Sequence, residues 1–122
     1  MTKQEFYDIW LSKFGSDIPK AKINKYVEKT GNYIWHIFSW GLIPEEKYYS
    51  GNRAKIEYDS IDKSGAWYIE WFEDDRAHQI IPKLKTAKDL DEFIEIYVMA
   101  KDFSWTYIKT HEDSCGPYFM KM

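Results

Sequence analysis

The sequence predicts an α+β fold: a mainly antiparallel, meandering sheet with N-terminal helices packed on one side. Three observations point there. Apolar residues recur at helical spacing through the first thirty positions, strand-like runs dominate after residue 33, and the connections are short enough for antiparallel pairing. At 122 residues, with no internal repeat, low-complexity stretch or linker, residues 1–122 read as a single domain able to bury one core.

The opening TKQEFYDIWLSKFG predicts a helix. Thr2 and Glu5 have capping-box spacing, Phe6, Ile9, Trp10 and Phe14 share a face, and Gly15 stops it. A second helix starts near Pro19, buries Ile23, Tyr26 and Val27, leaves Lys20, Lys22, Lys25 and Lys29 in water, and ends at Thr30-Gly31-Asn32. The run from Tyr33 to Trp40 is apolar or aromatic at nearly every position, the pattern of a central strand covered on both faces. After the loop GLIPEEKYYSG, a helix carries Ala54, Tyr58 and Ile61 behind a Ser50 cap. GAWYIEWF alternates as a strand, EDDR turns, and AHQIIP returns antiparallel until Pro82. TAKDLDEFI is a short helix with Thr86 and Asp89 at capping spacing, and EIYVMA, WTYIKT and PYFMKM are the closing strands.

Aromatic residues form 19% of the chain, more rings than a small core absorbs, so some Trp and Tyr are expected at the surface in partner contacts. Residues 1–60 hold 9 basic and 8 acidic side chains, whereas residues 61–122 hold 8 and 12. An acidic second half argues against nucleic-acid binding and suits a basic partner. One cysteine, an N-terminus charged from its third residue and no membrane-length apolar run make a cytoplasmic protein the expectation, with no membrane contact.

Within five residues near the C-terminus stand His111, Glu112, Asp113 and Cys115. Cys115 as nucleophile, His111 or His36 as base and Glu112 or Asp113 as orienter would make a triad. The favoured reading is a tight turn in which Thr110, His111 and Asp113 satisfy backbone groups and Gly116-Pro117 sets the exit. His36, His78 and His111 lie in separate segments without zinc-site spacing, and no glycine-rich phosphate loop occurs, so neither metal nor cofactor is expected. His36 reads as a hydrogen-bonded core histidine. The paired acids Glu45-Glu46, Asp74-Asp75 and Glu112-Asp113 read as solvated turns. The hairpin WYIEWFEDDR combines Glu70, Trp71, Glu73, Asp74 and Asp75 and is the favoured partner-binding ridge, against the plainer reading of a core hairpin with a solubilising tip.

Two further stretches, IWHIFSW and DFSWTYIKTHEDSCGPYF, carry a resemblance. Trp35, His36, Phe38 and Ser39 match a W-H-x-F-S segment. Trp105, Thr106, Thr110, His111, Glu112, Gly116, Pro117, Tyr118 and Phe119 match a W-T-x-x-x-T-H-E…G-P-Y-F ending. Over roughly residues 30–120 the chain resembles a family of small bacterial proteins without assigned function, similar to those encoded beside polymorphic or contact-dependent toxins. The resemblance implies an immunity protein that binds and blocks one cognate toxin, with a basic, nucleic-acid-attacking toxin domain as the natural counterpart. Cys115 falls outside the motif, which weighs against a catalytic cysteine. The alternative is a small hydrolase using His36, His111 and Glu112. The two readings part on geometry: whether these side chains converge on an open pocket or are buried in hydrogen bonds.

Overall fold

The computed structural model describes residues 1–80 and 85–122. Helices α1 (Lys3–Phe14) and α2 (Lys20–Tyr26) form as the spacing requires. The Thr2 hydroxyl accepts from the Glu5 N–H while Glu5 accepts from the Thr2 N–H, so two orphan donors at the helix start are satisfied reciprocally. Phe6, Trp10 and Phe14 are buried, and the Gly15 N–H closes the last turn on the Leu11 carbonyl. Along α2 the lysines face water and Val27 is buried beside half-buried Ile23 and Tyr26.

The run from Tyr33 to Trp40 is not a strand. Gly31 and Asn32 take positive φ values of 103° and 61° and turn the chain into a short helix, α3 (His36–Ser39). Successive amides of residues 36–40 bond back to carbonyls three or four residues earlier. The prediction of a strand failed because an apolar run on both faces signals burial without fixing the period. The burial itself is present: Ile34, Trp35, Ile37 and Phe38 are all enclosed.

Helix α4 (Asn52–Ser60) buries Ala54 and Tyr58, with Ile61 packed half-buried beyond its end. Its cap is Gly51 rather than Ser50, which belongs to the two-residue strand β1 (Tyr49–Ser50). Strands β2 (Trp67–Glu70), β3 (His78–Gln79), β4 (Ile96–Met99), β5 (Trp105–Lys109) and β6 (Tyr118–Lys121) complete an antiparallel sheet in the order β1-β6-β5-β4-β2-β3. Helix α5 (Ala87–Leu90) is capped by Thr86 with Asp89 in reciprocal contact. Pro82, expected to end the returning strand, lies outside the described residues.

Alternation along the strands sends neighbours to opposite faces. Ile69, Tyr97, Met99, Ile108, Tyr118 and Met120 pack under α1 and the 27–43 segment. Ile96, Val98, Trp105, Tyr107 and Phe119 pack under α4 and α5. The α+β class with its N-terminal helices on one face is as expected, and α4 and α5 cover the other face.

Candidate functional site

Glu95 immediately precedes β4 and is fully buried. Oε1 accepts from Trp35 Nε1 at 3.0 Å, from the His111 backbone N–H at 3.1 Å and from His111 Nδ1 at 2.6 Å. Oε2 accepts from the Tyr97 hydroxyl at 2.5 Å. All four groups are donors, the set that a carboxylate accepts. Tyr97 reaches it because residues two apart on an extended chain share a face. Burial, and then the adjacent Glu95 charge, push the Tyr97 phenol well above its usual range. The two sequence motifs therefore meet in space through a residue that belongs to neither.

His111 follows β5 and is 27% exposed in its side chain. Its Nδ1 carries the proton donated to Glu95, which orients the ring and turns Nε2 outward, 3.8 Å from Glu112 Oε1. The rings of Tyr33, Phe72 and Trp35 stand 5.0, 5.6 and 5.7 Å from it. His36 packs on the same Trp35 at 4.4 Å, but its Nδ1 is engaged with the Tyr26 carbonyl at 3.0 Å and the Thr30 hydroxyl at 2.7 Å. It is the hydrogen-bonded histidine expected, on a helix instead of a strand.

Most other motif residues are structural. Phe38 packs between Tyr48 and Tyr118 at 4.7 and 4.9 Å, Trp105 packs on Phe119, and Ser39 is exposed. The Thr106 hydroxyl links Trp10 Nε1 at 2.8 Å to the Val98 carbonyl at 2.7 Å. Thr110 ties the turn, donating to the Cys115 carbonyl and lying 2.9 Å from that of Glu112. Gly116 has φ +84°, and a Cβ there would meet the Tyr118 ring at 3.2 Å, so the exit into β6 through Pro117 needs glycine. Asp113 is exposed, and Cys115 Sγ lies 3.6 Å from Glu112 Oε2. The hollow beside Thr110, Glu112 and Cys115 holds about 140 Å³, below the roughly 300–1,000 Å³ of small-molecule sites.

The hairpin residues divide. Trp71 is buried against Tyr97 at 5.2 Å with the Lys3 ammonium 4.0 Å over its ring, so as a surface anchor it is excluded. Phe72, its neighbour, is the exposed ring. Burial draws Lys3 below the usual lysine value against the opposing pull of Asp74 and Glu95. Asp74 Oδ2 accepts from the Glu70 N–H at 2.9 Å and shapes the turn. Glu70 is half-buried, and burial, then Asp74 and Glu73, raise its carboxyl above the ordinary value. Glu73 and Asp75 face water.

Register carries these residues to one place. Glu70 pairs with Ile96 and Ile96 with Lys109, so the segments after β2, before β4 and after β5 emerge at the same end of the sheet. Exposed there are Glu73, Asp75, Glu92, Glu112 and Asp113, together with Phe72 and Ile94.

Sequence reasoning missed Glu95. It sits in EIYVMA as an ordinary strand-leading acid, and its one signal was being a lone carboxylate against an apolar run. Among the described residues no group of three or more His, Cys, Asp or Glu is placed to hold a metal ion, and no helix is long and apolar enough to cross a membrane. No curated protein and no solved structure matches the chain. A match to the family described as Domain of unknown function (DUF4275) spans residues 3–119, nearly the whole fold including both motifs and Glu95, and the chain belongs to that family.

Proposed function

We propose that this protein is a cytoplasmic immunity-type inhibitor, binding and blocking a basic cognate toxin domain through the acidic end of its sheet. The observation that carries the reading is the meeting of three loops there. Each brings exposed acids, and two exposed apolar side chains, Phe72 and Ile94, stand among them. Charge of one sign steers a partner of the other, and desolvated apolar groups hold it once docked. The family resemblance points the same way.

Surface-plasmon kinetics against basic toxin domains, taken first from any gene adjoining this one, provide the test. Glu73→Lys with Asp75→Lys should slow association by about tenfold at low salt and less at high salt, with a smaller change in dissociation. Asp74 is left intact because it holds the turn. Wild-type protein that fails to bind any such domain sinks the reading, and an unchanged association rate at both salts moves the interface elsewhere.

The hydrolase alternative has one supporting observation. A carboxylate on Nδ1 of His111 leaves Nε2 able to take a proton. Against it, His36 spends its Nδ1 on Tyr26 and Thr30, and the hollow beside the motif turn is too small for a typical substrate. Turnover of ester or phosphodiester substrates that vanishes in His111→Gln would favour it.

A further inference from the structure

Glu95 and Glu112 flank one imidazole, the first at Nδ1 and the second 3.8 Å from Nε2. The two carboxylates differ in setting: Glu95 is sealed from water, while the Glu112 side chain is 53% exposed. Among the described residues, the ion-pair partner of Glu95 is His111 alone. Two acids therefore share a single imidazole, so the site is electronegative whichever way the ring is charged. With the ring neutral, the Nδ1 proton is committed to Glu95 and Nε2 offers a lone pair outward. Nε2 and the Glu112 carboxylate then form two acceptors side by side at the surface.

The walls are aromatic. Tyr33 and Phe72 lie 5.0 and 5.6 Å from the His111 ring and 6.1 Å from each other. Phe72 is 47% exposed and packs edge-on against both Tyr33 and His111. Adjacent acceptors bordered by aromatic rings suit a planar, delocalised cation with several N–H donors. A guanidinium has that form: it stacks on rings and donates to two acceptors at once, whereas an ammonium is a compact, strongly hydrated point charge.

From this geometry we infer that His111, Glu112, Tyr33 and Phe72 form a receptor for an arginine side chain of the basic partner, with Glu95 setting the tautomer from beneath. The inference rests on the inhibitor reading for its partner and names the residue type that partner inserts. His111 and Glu112 are the binding groups; Glu95 is a positioning residue. Protonating His111 converts Nε2 from acceptor to donor and places a like charge against the guanidinium. The other ionisable groups at or near the ring are Glu95, Glu112 and the Tyr33 phenol, with Tyr97 behind Glu95 and Lys3 within the field of Glu95.

Nitrogen-15 NMR of the full-length protein supplies the test, following the His111 imidazole during titration with acetyl-Gly-Arg-Gly-amide. The expected result is a saturable shift at His111 and Phe72, with the proton on Nδ1, against Glu95, and Nε2 bare. Peptides with citrulline or lysine in place of arginine should bind at least about fivefold more weakly, and Glu112→Gln about tenfold more weakly, as expected for a charge-assisted, planar contact. Glu112 is exposed and anchors no buried group, so this variant should keep the fold. Absence of a saturable shift, citrulline or lysine binding equally well, or indifference to Glu112→Gln overturns the receptor. The two proposals fail separately. Toxin-domain binding that persists in Glu112→Gln at full strength removes the arginine anchor and leaves the inhibitor; arginine binding without any toxin-domain binding does the reverse.

Discussion

The two faces of the sheet are built from alternating residues of the same strands, yet they treat polar groups in opposite ways. On the face under α1 and α3, polar atoms are threaded into chains: Trp10 to Thr106 to the Val98 carbonyl, and Trp35, Tyr97 and His111 to Glu95. The second chain runs from a sealed carboxylate to a surface imidazole. On the face under α4 and α5, Tyr58 and Tyr107 pack ring to ring at 4.5 Å, and among the described residues the buried Tyr107 hydroxyl has no hydrogen-bond partner. On the first face buried polarity orients a surface residue, His111.

The largest effect that could break the comparison is at Glu95. Glu95→Ala strands the Trp35 indole N–H, the Tyr97 hydroxyl and the His111 amide in an apolar setting. Removing one partner from a buried ionic network costs about 3–5 kcal/mol. Urea denaturation should show a loss in that range. A loss under about 1 kcal/mol would mean that water reaches these donors and that the face is not sealed as described.

Tyr97→Phe is the milder version of the same cut. It leaves Glu95 Oε2 without its donor, at a cost of about 1–3 kcal/mol for an unsatisfied buried acceptor. The hydroxyl also sets a pH response. Burial and Glu95 hold the Tyr97 phenol well above 10.0 in the folded chain. The unfolded chain releases this proton near pH 10 while the folded chain keeps it, so above that pH the native state binds the extra proton. This contribution to stability is whole below pH 10 and is lost as pH rises through the folded value. Alkaline melts of the wild type should therefore fall more steeply with pH than those of Tyr97→Phe; parallel curves would place the hydroxyl in contact with solvent.

Legibility in the sequence follows the range of the interactions. Helix α1 was readable because its cap and apolar face lie within fourteen residues, and the closing strands because alternation is local. The Tyr33–Trp40 segment was misread because burial on all sides erases the period that separates helix from strand. In the site, the 110–117 turn was legible from its turn residues, and Thr110 bonds backbone carbonyls as expected. His111 bonds the Glu95 carboxylate instead, and Asp113 is exposed. Glu95 was not legible, since its partners come from residues 35, 97 and 111 and only the folded register brings them together. Trp71 and Phe72 show the same limit: adjacent aromatic residues announce two faces without saying which is inside.

The smallest effect has the opposite sign. Tyr107 on β5 stands beside Tyr97 on β4 but faces the other way: in the β4–β5 ladder Tyr107 pairs with Val98, the residue next to Tyr97. Burial pushes its phenol above the usual range, and its hydroxyl is desolvated with no partner among the described residues to offset the cost. Tyr107→Phe removes only that oxygen and keeps the ring against Tyr58. A lost hydroxyl that made no hydrogen bond should leave stability unchanged or raise it by up to about 1 kcal/mol, whereas the same substitution at Tyr97 lowers it. The pair of variants measured side by side isolates the face from the chemistry, because one atom is deleted from the same side chain in both. A destabilisation at Tyr107 as large as that at Tyr97 would show that the second face also satisfies its buried polarity, and the contrast between the faces would dissolve.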